Sequence, residues 1–197
     1  MFKLRQLQRM KQEELKHTGC TTTGAAAAAT TDPSGTTGIS AAYVRLQKDI
    51  DDLDLPPTVE LVGTPRHSGK QHVLSVVVSP DEGFYEGGHF RFEMTFNNSY
   101  PIEPPKVLCL NRIYHPNIDL EGKVCLNILR EDWSPALDLQ SVIVGLLFLF
   151  LEPNPRDPLN KDAATCLIKD RWSFRDLVRK SMTGATIDGV TYDHVFR

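Results

Sequence analysis

The chain has 197 residues, 41% hydrophobic and 24% charged, with a formal net charge of −3. That length suits one domain plus an extension, and the mild negative charge excludes a general attraction to nucleic acid. The longest apolar run, Val142 to Leu151, has ten residues, well short of the ~20 a membrane span needs, so no membrane partner is expected.

Charge is uneven along the chain. Met1 to Lys16 holds five Lys or Arg and two Glu, a net of +3 that leaves −6 for the rest. A basic arm on an acidic body reads as a docking segment. Leu4, Leu7, Met10 and Leu15 place an incomplete apolar stripe on a short amphipathic helix. A solvated tail is the plainer reading, but nothing nearby in sequence covers the stripe. Lys3, Arg5 and Arg9 break the first apolar run, which argues against a secretory signal, and Glu13 and Glu14 argue against a mitochondrial presequence. Residues 17–38 are rich in Thr, Ala and Gly and read as a flexible linker. The folded domain is then 39–197.

Ser40 is placed to cap a helix reaching about Leu53, with Tyr43, Leu46, Ile50 and Leu53 on one face. Pro56 and Pro57 stop it. Thr58–Val62, Gln71–Val78, His89–Phe96 and Lys106–Leu110 read as strands. In the third, Phe90, Phe92, Met94 and Phe96 alternate with His89, Arg91, Glu93 and Thr95. One such face implies an antiparallel meander with one buried side. Between the last two strands, Pro101, Pro104 and Pro105 make a stiff loop with an X-Pro bond suited to the cis form. No further sheet signal is read after these strands. A helix buried on all sides is expected over Leu139–Leu151, then helices over Lys161–Lys169 and Ser173–Met182, the last opened by a Ser173–Asp176 capping box. Helix, four strands and helices describe an α+β fold.

The four cysteines, Cys20, Cys109, Cys125 and Cys166, form no C-x-x-C pair and show no zinc spacing with the histidines. They read as free thiols in a reducing compartment, and no metal is expected. Cys125 lies within Ile113–Pro135, a polar, glycine-broken stretch too long for a plain turn. Long structured loops tend to be functional. On residue type alone, Cys125 is still more often a packing group than a nucleophile. A dyad with His115 lacks a third orienting group.

Motifs in order decide between these readings. His115-Pro116-Asn117 is followed by Cys125 eight positions beyond Asn117 and by Trp133 eight beyond Cys125. Tyr100-Pro101 with Pro104-Pro105, Ser134-Pro135-Ala136, and Pro153-Asn154-Pro155 with Asp157-Pro158-Leu159 complete the set. From about Ser40 to the C-terminus the sequence resembles the ubiquitin-conjugating enzyme family. The runs HPNIDLEG, CLNILREDW, FLEPNP and DPLNK, with the opening MFKL and the end from Ser181, resemble its neddylation branch. Lys123 departs from that branch's small polar residue, and the linker is Thr/Ala rich rather than Lys/Ser rich.

The resemblance implies the ubiquitin-conjugating fold and two acyl transfers. Cys125 takes a Nedd/Rub-type modifier from a heterodimeric activating enzyme as a thioester. A substrate lysine, expected on a cullin, then attacks it. Asn117 is implied to support the oxyanion or its loop, and Asp157 to gate the lysine. His115, Pro116 and Trp133 are expected to be structural, Trp133 as a core residue. Ile102, Ser134, Pro135 and Ala136 match the face that meets RING-type ligases. Met1, Phe2, Lys3, Leu4 and Leu7 match the arm that docks on the activating enzyme and a co-ligase, with Met1 expected to be acetylated. No cofactor is implied at the site, since ATP is consumed upstream. Cytoplasm or nucleus is the expected location. Conjugation of ubiquitin itself, or a non-catalytic modifier-binding variant, are the competing readings.

Overall fold

A computed structural model describes residues 40–68 and 71–197. The basic arm, the linker, Cys20 and the docking residues Met1, Phe2, Lys3, Leu4 and Leu7 lie outside the described residues. Helix α1 spans Ala41–Asp51, and Ser40 caps it by accepting from the Tyr43 amide at 3.1 Å. Its buried face is Ala42, Leu46 and Asp49, one step round from the stripe read in the sequence. The shift arises because Asp49 is taken inward by polar partners rather than left in solvent.

Four strands follow: β1 Val59–Ser68, β2 Gln71–Val78, β3 Phe90–Phe96 and β4 Lys106–Cys109. They pair antiparallel in the order β1-β2-β3-β4, the expected meander. β1 is longer than the sequence suggests and slips register between Val62 and Arg66. Its outer half is exposed, so no apolar alternation marks it. In β3 the residues Phe90, Phe92, Met94 and Phe96 are all buried.

Helix α2, Leu139–Leu151, has no exposed residue. Asp138 caps it by accepting from the Ser141 amide. Phe150 on this helix stacks on Phe90 of β3 at 4.3 Å and meets Phe92 edge-on. Each such side chain contributes roughly 1.5–3 kcal/mol by burial, so this cluster locks helix to sheet. The Tyr100–Pro101 bond is cis, as the sequence suggested.

Helices α3 (Lys161–Lys169) and α4 (Arg171–Met182) follow. The expected capping box at Ser173 does not form. Asp170 caps α4 instead, accepting from the Trp172 and Ser173 amides, while the Ser173 hydroxyl donates back to Asp170. An acceptor-only carboxylate satisfies two free amides at once, which leaves Ser173 inside the first turn. The chain also adds a two-stranded hairpin, β5 Thr186–Ile187 and β6 Val190–Thr191. This corrects the expectation of no sheet after β4. Strands of two residues carry no period, but their Asp188-Gly189 turn does: both residues hold positive φ, as a two-residue hairpin turn requires.

Candidate active site

The site is assembled around His115, which is fully buried. Its ring stacks on Tyr85 at 4.9 Å. Nδ1 accepts from the Asn117 amide at 2.9 Å, so Nε2 carries the proton and donates to the Leu149 carbonyl, also at 2.9 Å. Burial pushes its pKa down to about 4, which keeps the ring neutral. The first residue of the motif is thereby fastened to α2 and the core.

The next two residues fasten the far side. The Pro116 carbonyl accepts from the Leu159 and Asn160 amides. Asn117, 1% exposed, accepts from the Asn154 amide at 2.8 Å and donates through Nδ2 to the Asn154 and Asp157 carbonyls at 2.7 and 3.3 Å. Its own carbonyl accepts from the Cys125 amide at 2.8 Å. Asn117 thus clamps the 154–157 loop beside Cys125. Both amide hydrogens are engaged in that clamp, so in this state loop support is the role its geometry performs.

Cys125 follows a tight turn. Gly122 sits at φ +83°, and a Cβ there would lie 2.0 Å from the Cys109 carbonyl oxygen. Only glycine fits that approach. Beyond the cysteine, a 3₁₀ turn over Asn127–Leu129 carries Ile128 into the core. Leu126 and Ile128 rest against Gly145 of α2, where an added Cβ would come within 3.0 and 2.9 Å of them. The lone glycine in an apolar helix therefore brings the cysteine-bearing segment against the core.

Cys125 itself is 5% exposed, and its Sγ donates to Asp157 Oδ2 at 3.0 Å. The thiol pKa is pushed up to about 11, first by burial, then by the hydrogen bond and charge of Asp157. The Arg130 guanidinium works in the opposite direction. Arg130 also reaches Asp157 Oδ2 at 3.7 Å. The sequence reading did not single out this arginine, and no spacing rule marks it. A protonated thiol held by a carboxylate, on a clamped loop, becomes a nucleophile for an acyl group once its proton passes to solvent.

Trp133 corrects another expectation. It is half-buried rather than core, and its indole donates to the Pro101 carbonyl at 2.9 Å. That bond joins the segment of Ser134, Pro135 and Ala136 to the loop of Ile102, whose side chain is 76% exposed. The indole edge needs a partner, which places Trp133 between two loops rather than inside.

The family model for ubiquitin-conjugating enzymes matches residues 45–182. The chain belongs to the ubiquitin-conjugating enzyme family. It is a transferase of the thioester-forming class. The NEDD8-conjugating enzyme UBC12 of Saccharomyces cerevisiae is 58% identical over 161 residues, covering 80% of this chain and 86% of that protein. The Nedd8-conjugating enzyme UbcE2M of Drosophila melanogaster is 52% identical over 153 residues, covering 78% and 83%. A solved structure of S. cerevisiae Ubc12 superposes with a TM-score of 0.77 at 51% identity, covering 99% of each chain. Among the described residues, no group of three His, Cys, Asp or Glu is placed to hold a metal ion, and no helix is long and apolar enough to cross a membrane.

Proposed function

We propose that this conjugating enzyme carries a NEDD8-type modifier on Cys125 and passes it to a lysine, with cullins as the substrate class. The observation that carries the chemistry is the thiol of Cys125 at 3.0 Å from the Asp157 carboxylate. The modifier follows from relatives named as NEDD8-conjugating enzymes at 46–58% identity.

In the first transfer, the Cys125 proton goes to solvent, and the thiolate attacks the thioester carbonyl carbon on the activating enzyme. The new C–S bond forms as the old one breaks, and the departing thiolate is reprotonated. The charged sulfur then has no hydrogen to donate. Asp157 becomes a free acceptor for the incoming lysine, taking a proton from its ammonium or orienting its amine. Amine attack forms the isopeptide bond and expels the Cys125 thiolate. Asn117 keeps the 154–157 loop in place during both steps. ATP is spent upstream by the activating enzyme, and no cofactor is needed at the site.

The flanking assignments complete the proposal. Residues 1–16, led by Met1, Phe2, Lys3, Leu4 and Leu7, dock on a heterodimeric activating enzyme and a co-ligase through an acetylated Met1. Residues 17–38 are the tether to the 39–197 domain. Ile102, Ser134, Pro135 and Ala136 meet a RING-type ligase. The enzyme works in the cytoplasm or nucleus.

Charging with each purified modifier and its own activating enzyme tests this. A reducible adduct should form with the NEDD8-type modifier. Loading with ubiquitin alone would overturn the choice. Cys125→Ser should trap the modifier as a reductant-resistant ester, whereas an unchanged reducible thioester would mean that another cysteine is the carrier.

A further inference from the structure

Helix α1 carries a partly buried ion pair that the transfer chemistry does not use. Arg45 Nε donates to Asp49 Oδ1 at 2.7 Å, and Asp49 is 6% exposed. A pair of this kind is weak evidence for stability by itself, because desolvation offsets much of the attraction. Its remaining bonds are more informative. Asp49 Oδ2 accepts from the Tyr100 hydroxyl and, at 3.3 Å, from the Leu139 amide. Arg45 donates to the Pro135 carbonyl at 3.0 Å and the Leu137 carbonyl at 2.8 Å. Its guanidinium also lies over the Tyr100 ring, 5.7 Å from the centroid.

The pair therefore reaches two loops far apart in sequence. One is Tyr100–Ile102, held through Asp49. The other is Ser134–Leu137, held through Arg45. Trp133 ties the same loops on their other side through the Pro101 carbonyl. Their backbones are fixed while Ile102, Pro135 and Ala136 remain exposed. A docking surface ordered beforehand does not lose that freedom on binding, and this favours affinity.

We propose that Arg45 and Asp49 are positioning residues for ligase docking: they fix the spacing between Ile102 and the Pro135–Ala136 turn. The inference rests on the reading of those residues as the ligase face. Two single changes each cut one tie. Arg45→Lys keeps a cation beside Asp49 but cannot fork to two carbonyls as well. Tyr100→Phe cuts the tie from Asp49 to the other loop and leaves Arg45 in place.

The test uses full-length enzyme, precharged with modifier, in single-turnover discharge while a RING-type ligase subunit is titrated. Both variants should raise the half-saturating ligase concentration about fivefold. Discharge to free lysine without ligase and the saturated rate should stay close to wild type, even where the lost bond lowers the melting temperature. A merely structural role would lower the ligase-free rate and leave the half-saturating ligase concentration unchanged, and that result overturns the proposal. Ile102→Ala separates the two readings. If it weakens ligase response and the two variants do not, the positioning role is wrong and the ligase face stands. If Ile102→Ala has no effect, the ligase face falls, and the positioning role with it.

Discussion

An Asp157→Asn substitution should speed one reaction of Cys125 and slow another. The carboxylate lies 3.0 Å from Sγ and accepts its hydrogen, so it favours the thiol over the thiolate. Its side chain is 63% exposed, which calls for water-like screening. At that distance and ε ≈ 80 the repulsion is about 1.4 kcal/mol, or roughly tenfold in thiolate at fixed pH. A less basic thiolate is also less nucleophilic, by about 0.4–0.5 of the change on a logarithmic scale. The net expectation is an alkylation rate about threefold faster near neutral pH, read by iodoacetamide labelling of Cys125 and mass spectrometry. Discharge of the preformed thioester to free lysine should fall ~10²-fold, because the acceptor for the amine proton is gone. If alkylation slowed together with discharge, Asp157 would be acting as the base for the thiol, and the reasoning from charge repulsion would be wrong.

Three further perturbations follow from the same geometry. The His115 pKa is held down to about 4 by burial, below an unfolded value near 6.5. The unfolded state therefore binds the extra proton, and stability present above that range is lost as pH falls towards 4. The loss is about 2 kcal/mol from pH ~7.5 to ~5, visible in urea unfolding, and a His115→Asn protein should lack this slope. Asn117→Asp keeps the acceptor for the Asn154 amide but loses both donors to the 154–157 loop. Lysine discharge should drop ~10²-fold, with charging less affected, as single-turnover assays of the two steps would show. Gly122→Ala forces a Cβ to 2.0 Å from a backbone oxygen at φ +83°. Thermal or urea unfolding should register more than about 2 kcal/mol of destabilisation.

Where local signals were strong, the sequence located elements closely. Gln71–Val78, Leu139–Leu151 and Lys161–Lys169 match the observed β2, α2 and α3, because β-branched runs, uniform apolarity and caps are properties of neighbouring residues. The inward turn of Asp49, the half-burial of Trp133 and the Asp170 cap depend on partners elsewhere or on a competing acceptor next door. The site divides in the same way. Cys125 stood out through motif order, but its contact with Asp157 spans 32 positions and exists only in the folded chain. Arg130 joins that contact without any pattern to mark it. The seat that Gly145 gives Leu126 and Ile128 likewise exists only in the folded chain.

The raised thiol pKa bears on why this site transfers an acyl group instead of hydrolysing it. Burial is its largest cause, and the same burial limits water around the sulfur. A thiolate from a thiol of high pKa is also a slow leaving group. Both features protect a thioester from casual attack, at the expense of a nucleophile that is mostly protonated. The site offsets this expense with position rather than with a stronger base: Asn117 clamps the loop that carries Asp157, and Asp157 already holds the thiol hydrogen. Charging removes that hydrogen and opens the acceptor. On the proposed mechanism, the carboxylate that restrained the thiol then accepts from the incoming lysine amine, the stronger nucleophile towards a thioester.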